Sequence, residues 1–125
     1  MSVDYCTTED ALAVVDALGV QVRDMGLLSS VIARPATDVF GLEAYVSLHD
    51  KAAALIDGAN RLHPLDDGNK RLSWILTKLF YRLNGLHLHA TADDGEEFVI
   101  RVAGEHRALP EIASWLETHT SALPR

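Results

Sequence analysis

Leu72, Ile75, Leu76, Leu79, Phe80 and Leu83 recur at three- and four-residue steps, the spacing that gathers side chains on one face of an α-helix. No other stretch of the chain commits so firmly to one backbone form. The stripe predicts a helix from about Asn69 to Asn84, closed by Gly85. Its start is abrupt. His63-Pro64-Leu65-Asp66-Asp67-Gly68 sets proline and glycine directly ahead of it, so that segment is a loop delivered into a helix N-terminus.

The rest of the chain follows the same period. Leu12, Val15, Leu18, Val22 and Met25 predict a first helix, with Thr7 or Thr8 as cap, Glu9-Asp10 in its first turn and Gly26 as terminator. A short second helix through Leu27, Leu28 and Val31 ends before Pro35. Residues 35–42 break the pattern and read as a turn or short extended hairpin. Periodicity resumes over Tyr45, Leu48, Ala52, Leu55, Ala59 and Leu62, with alanines that favour helix and close packing. A brief extended piece at Leu86–Ala90, a helix around Glu96–Ala103 and a last helix from Pro110 complete the chain. The expectation is an all-α fold with a short β-hairpin-like flap, residues 1–125 forming one domain.

Charge narrows the functional classes. Eleven Lys and Arg against eighteen Asp and Glu leave a net charge of −7. That balance advertises neither nucleic acid nor an anionic membrane as direct partner. Cys6 is the single cysteine, so no intrachain disulfide forms and a reducing compartment is expected. Met1–Asp10 has neither the basic nor the apolar segment of a secretory leader, and no apolar run approaches a membrane span. A cytoplasmic location is the expectation.

The loop and its helix start, His63 to Arg71, pack a base, two acids, an amide and two cations into nine residues. Composition alone allows a plain reading, a polar interhelix loop. The arrangement also has a chemical use. A helix starting near Asn69 offers unpaired N–H groups and the positive end of its dipole to an anion. Lys70 and Arg71 in that first turn oppose the dipole and cost stability unless an anion lies between them, and phosphate is the obvious one. Asp67 can hold Mg²⁺ against phosphates, and a histidine such as His63 can take a proton from a hydroxyl near neutral pH.

His-Pro-Leu-Asp-Asp-Gly-Asn-Lys-Arg closely resembles the signature of the Fic/Doc family. The resemblance extends to Asp24–Leu28, Ala33–Pro35, Leu42–Tyr45, Lys51–Leu55 and Leu83–Gly85, and covers roughly residues 7–119. It implies a compact Fic/Doc helical domain, with His63 as general base and Asp67 as the Mg²⁺ ligand. Gly68 and Asn69 would cradle phosphates with backbone and side-chain donors, and Lys70 and Arg71 would contact them, with Arg61 a further basic neighbour. The segment from Arg34 to Tyr45 resembles the family's flap, which implies that Arg34, Pro35, Val39 and Phe40 dock the target; otherwise it is an ordinary connecting loop.

Two departures direct the choice within the family. Leu65 replaces the usual Phe, an apolar exchange a core tolerates. Lys70 stands where AMP-transferring members have Gly, and Trp74 where they have a second Arg. Both place the chain on the Doc side. That resemblance implies a toxin transferring the γ-phosphate of ATP to a Ser or Thr of a translation protein of the elongation factor Tu class. Transfer of AMP and a catalytically idle binding module are the rival readings. No Ser/Thr-x-x-x-Glu-Gly/Asn pattern of the family's inhibitory helix occurs in the chain, so a small antitoxin acting in trans is the expected partner.

The remaining candidates read as structural. His87-x-His89 lacks an acidic or thiol partner at metal spacing and reads as a surface strand. His49, His106 and His119 are expected to face solvent, and Trp74 and Trp115 to pack. Glu96-Glu97 reads as a solvated face or acidic first turn, and Asp66 as a solvated neighbour of Asp67.

Overall fold

The computed structural model describes residues 2–105 and 107–124; the expectation for His106 lies outside them. Helix α1 spans Thr8–Leu18. Thr7 caps it in a reciprocal box, accepting from the Asp10 N–H at 3.1 Å while its own N–H donates to the Asp10 carboxylate at 2.9 Å. The helix stops at Gly19 in the left-handed region, not at Gly26 as the apolar spacing predicts. Val22 and Met25 therefore leave its face. Val22 pairs with Leu65 of the motif loop, and Met25 opens α2, Met25–Ala33, which Asp24 caps.

A 3-10 turn, Arg34–Ala36, leads into the hairpin β1 (Asp38–Val39) and β2 (Leu42–Glu43). Phe40 and Gly41 form its turn with φ of 53° and 82°. Two positive values in succession match the twist of a tight hairpin.

Helix α3, Leu48–Leu62, begins later than the apolar spacing from Tyr45 implies, because the Ser47 hydroxyl accepts from the Asp50 N–H at 3.0 Å and sets the start. Every residue from Lys51 to Asn60 is buried. The expected single apolar face is thus wrapped on all sides. Alanines at 52, 53, 54 and 59 and Gly58 keep the helix thin enough for α2, the 3-10 turn and the later helices to close around it.

Helix α4, Asn69–Leu83, follows the predicted bounds closely, burying Leu72, Leu76 and Phe80 against α3. Strand β3 (Leu86–Leu88) follows. Helix α5 spans Ala92–Glu105 and starts four residues before the expected Glu96. Thr91 explains the difference, since its hydroxyl accepts from the Asp94 N–H at 3.1 Å and makes Asp93-Asp94 the acidic first turn. Helix α6, Leu109–Thr118, carries Pro110 in its first turn as expected. The closing strand β4 (Thr120–Ala122) pairs antiparallel with β3 and tethers the chain's end beside α4. The fold is mostly helical with small two-stranded sheets.

Candidate functional site

Pro64 and Leu65 are buried, so the motif loop crosses the protein's interior edge and its backbone polar groups need partners. Asn69 supplies two of them. Its Oδ1 accepts from the Leu65 N–H at 2.9 Å and its Nδ2 donates to the Leu65 carbonyl at 3.1 Å. One Nδ2 hydrogen is thus engaged in shaping the loop, and the second, with the backbone N–H, is left for the anion expected here.

The segment between α1 and α2 clamps the loop from the other side. The Arg23 and Asp24 N–H groups both donate to the Pro64 carbonyl, at 2.8 and 3.2 Å, and the Asp66 N–H donates to the Gln21 carbonyl at 3.1 Å. The Arg23 guanidinium donates to the carbonyls of Leu62 (3.0 Å) and His63 (2.9 Å), capping the C-terminus of α3. Sequence reasoning missed Arg23. The proximity of residues forty positions apart leaves no periodic signal.

His63 sits at that α3 terminus with φ of 49°, exposed. Among the described residues only Phe40 shares a positive φ without being glycine. Such conformations cost about 1–3 kcal/mol and persist where surrounding structure imposes them. Here that conformation ends α3 and turns the backbone into the motif loop.

Gly68 (φ 84°) opens α4, and no side chain caps the helix start. The Leu72 N–H finds the Gly68 carbonyl at 2.8 Å, which leaves the N–H groups of Asn69, Lys70 and Arg71 as the helix's unmatched donors. A Cβ at Gly68 would lie 3.1 Å from the Arg71 guanidinium, so glycine is needed for backbone conformation and for that approach. Lys70 is exposed, and Arg71 reaches Asp67 only at 3.8 Å, both side chains largely in solvent. An exposed pair of that length holds neither charge firmly.

His63, Asp66, Asp67, Gly68, Asn69, Lys70 and Arg71 line one cavity of about 810 Å³, with Trp74 and Ile75 of α4 and Gly95, Glu96, Val99 and Ile100 of α5 opposite. One end is rich in hydrogen-bond donors and cations, the other apolar. Trp74 both packs, edge-on to Trp115 with centroids 6.2 Å apart, and forms this apolar wall. Glu96, expected to be merely solvated, lines the cavity too. A Cβ on Gly95 would approach the Trp74 ring to 3.0 Å, so this glycine lets α5 come close to the indole.

Arg61 does not line the cavity. Its Nε donates to both oxygens of buried Asp57 at 2.9 Å, an intrahelical pair that ties the guanidinium to α3 outside the cavity's lining. Asp57 also takes the Arg34 guanidinium at 2.8 Å. Burial works to lower the Arg34 pKa, but hydrogen bonds to Asp57 and Tyr45 outweigh it, and the pKa is raised. Arg34 and buried Pro35 thus form the flap's root, while Val39 and Phe40 form its exposed tip.

Of the carboxylates lining the cavity, Asp66, Asp67 and Glu96, Asp67 is the one that the motif's register assigns to a metal; its Oδ1 accepts from the Gly68 N–H at 2.8 Å. Among the described residues no cluster of three or more His, Cys, Asp or Glu could hold an ion unaided. A single exposed carboxylate fits Mg²⁺ that arrives on nucleotide phosphates, which supply most of its ligands together with water.

Two of the histidines expected in solvent are engaged. His49 Nδ1 bonds the Tyr81 hydroxyl at 2.8 Å, and His119 stacks on Trp115 at 3.7 Å, because α3 carries the first over buried Tyr81 and the end of α6 lays the second on a half-buried indole.

The Fic/DOC family profile matches residues 5–81, which include the whole motif loop and most of α4. Toxin Doc of Mycolicibacterium smegmatis is 40% identical over 124 residues, covering 95% of each chain. A match across both the clamped loop and the helices that carry it leaves one conclusion: the chain belongs to the Fic/DOC family.

Proposed function

We propose that the chain is a toxin that transfers the terminal phosphate of ATP to a Ser or Thr hydroxyl of a translation protein of the elongation factor Tu class. One observation carries the reading. An uncapped α4 N-terminus bearing Lys70 and Arg71 shares a cavity with exposed His63. Family members typically use nucleotide substrates, and the 40% identical relative bears the name of a toxin.

The residues divide the work as follows. The N–H groups of Asn69, Lys70 and Arg71 hold the phosphate being transferred, with the helix dipole behind them. His63 removes the proton from the target hydroxyl as that oxygen attacks the γ-phosphorus. The bond from phosphorus to the β–γ bridging oxygen breaks, and ADP leaves. Lys70 stands by the charge that grows on the transferring group. Asp67 would hold Mg²⁺, which neutralises phosphate charge when bound. The apolar wall of Trp74, Val99 and Ile100 lies one turn and more along from the phosphate end, and accommodates the nucleoside.

Lys70 also separates this reading from AMP transfer. An ammonium on a four-carbon stem occupies the hollow that a glycine leaves open for β- and γ-phosphates. ATP labelled separately at α and γ, incubated with elongation factor Tu and followed by intact-mass analysis, tests the assignment. A phosphate mass with γ label is expected; an AMP mass with α label overturns it. Control rests with a small antitoxin in trans, so expression of the chain alone should arrest growth and co-expression of that partner restore it. Normal growth with abundant folded protein would favour an idle binding module.

A further inference from the structure

Lys51 is only 1% exposed, although it carries a charge that water would stabilise. Burying an ammonium is costly unless it is paired and hydrogen-bonded. Its Nζ reaches Glu43 Oε1 at 3.1 Å and the Tyr45 carbonyl. Both acceptors belong to the flap. Glu43 lies in β2, opposite Asp38, and Tyr45 in the return to α3. Tyr45 is held a second time, by the Arg34 Nε on its hydroxyl at 3.0 Å, with the guanidinium 5.6 Å from its ring centroid.

The flap has little else to orient it. Neither strand carries a buried residue, and Val39, Phe40, Leu42 and Val46 all stand in solvent. A two-stranded hairpin alone is marginally stable in water. Its attitude is therefore set at the root, by a buried cation in the first turn of α3 and, through Arg34, by Asp57 two turns later. The same helix ends at His63. Twelve residues at 1.5 Å rise separate Lys51 from His63, so α3 is a rigid spacer of about 18 Å between the flap's latch and the base.

We propose that Lys51 is a positioning residue for the protein substrate: through Glu43 and Tyr45 it fixes the flap relative to His63, without touching the reactants. This rests on the proposed function only in taking the flap as the substrate's docking edge. The latch itself is a matter of flap order.

Lys51→Met keeps the stem's volume and removes the charge, and Glu43→Ala removes the half-exposed carboxylate while leaving the Tyr45 carbonyl to the ammonium. Both are compared with the wild-type chain by amide hydrogen exchange over residues 38–46, by ATP affinity, and by KM and kcat toward elongation factor Tu. Lys51→Met should speed flap exchange at least tenfold and raise KM at least tenfold, with kcat and ATP affinity within about twofold. Glu43→Ala should move the same two readouts in the same direction by less. Unchanged flap exchange in Glu43→Ala overturns the latch even where Lys51→Met fails to fold. A parallel fall in ATP affinity, or faster flap exchange with KM unmoved, overturns the positioning role. A wild-type chain that leaves elongation factor Tu unmodified defeats the functional reading alone, and exchange over 38–46 then decides the latch.

Discussion

His63 and Phe40 are the two described non-glycine residues with positive φ, and they stand at the proposed base and at the flap tip. Neither position is explained by packing, since Phe40 is fully exposed and His63 is exposed at a helix end. A bulky residue in the left-handed region costs roughly 1–2 kcal/mol. Replacing Phe40 with Asn, which tolerates that region, should raise stability by about 1 kcal/mol in urea unfolding. The same variant should raise KM for the protein target, because a fully exposed ring is an anchor for a partner. Gained stability with unaltered KM would show that Phe40 contacts nothing. For His63→Ala, turnover should fall at least about 100-fold, the usual worth of a general base, with an unchanged circular dichroism spectrum. Arg23 holds the α3 terminus by its carbonyls and does not depend on the imidazole. Wild-type turnover in that folded variant would remove His63 from the chemistry. The sequence makes both residues visible as candidates, one as a motif base and one as a flap residue. Their strain is invisible there, because φ at a turn is set by what the flanking segments meet.

Helix α4 is the element most legible in sequence, and the reason is physical. Its apolar stripe buries mainly against α3, and a glycine punctuates its start. Helix α1 is misread because Val22 and Met25 happen to continue its spacing past Gly19, whereas Val22 is held by a bridge to Leu65. Helix α3 hides its environment for a different reason: small side chains let neighbours in on faces that periodicity counts as outward. The α4 start carries a prediction with opposed signs. Lys70 lies in the first turn, where a cation meets the positive dipole end and no capping side chain shields it. Lys70→Gln should therefore stabilise the ligand-free protein by about 0.3–1 kcal/mol, while weakening ATP binding several-fold in calorimetry. If both stability and affinity fall, Lys70 is held by the protein's own structure and not reserved for an anion.

At the scale of the molecule, long-range closures complete what periodicity begins. Strand β4 pairs with β3 over three residues more than thirty positions away, too short a run to announce itself. The N-terminal segment is closed in by Asp4, whose backbone exchanges hydrogen bonds with the Asn84 side chain at 2.9 and 2.8 Å, and by Cys6, whose Sγ donates to the Leu76 carbonyl at 3.6 Å. Burial, then the nearby Asp10 charge, push the Cys6 thiol up to about 12 from 9.0. Tyr81, bonded to His49 across α3 and α4, is raised as well, by burial first and then by Glu117. Both groups are neutral when protonated, so the sign follows directly. Below pH 9 the thiol is protonated in folded and unfolded chains alike, and its contribution is intact. Between 9 and about 12 the unfolded chain releases the proton while the folded chain keeps it, which favours unfolding. Stability should therefore fall as pH rises above 9, with iodoacetamide leaving the folded thiol untouched at pH 8. Urea unfolding of the wild-type chain and Cys6→Ala across pH 7–11 isolates the thiol's share. The wild type's advantage, present at neutral pH from packing and the Leu76 contact, should shrink steadily above pH 9. An advantage that stays constant to pH 11 would mean that the thiol ionises as readily in the folded protein as in the unfolded chain, and that the N-terminal closure admits water.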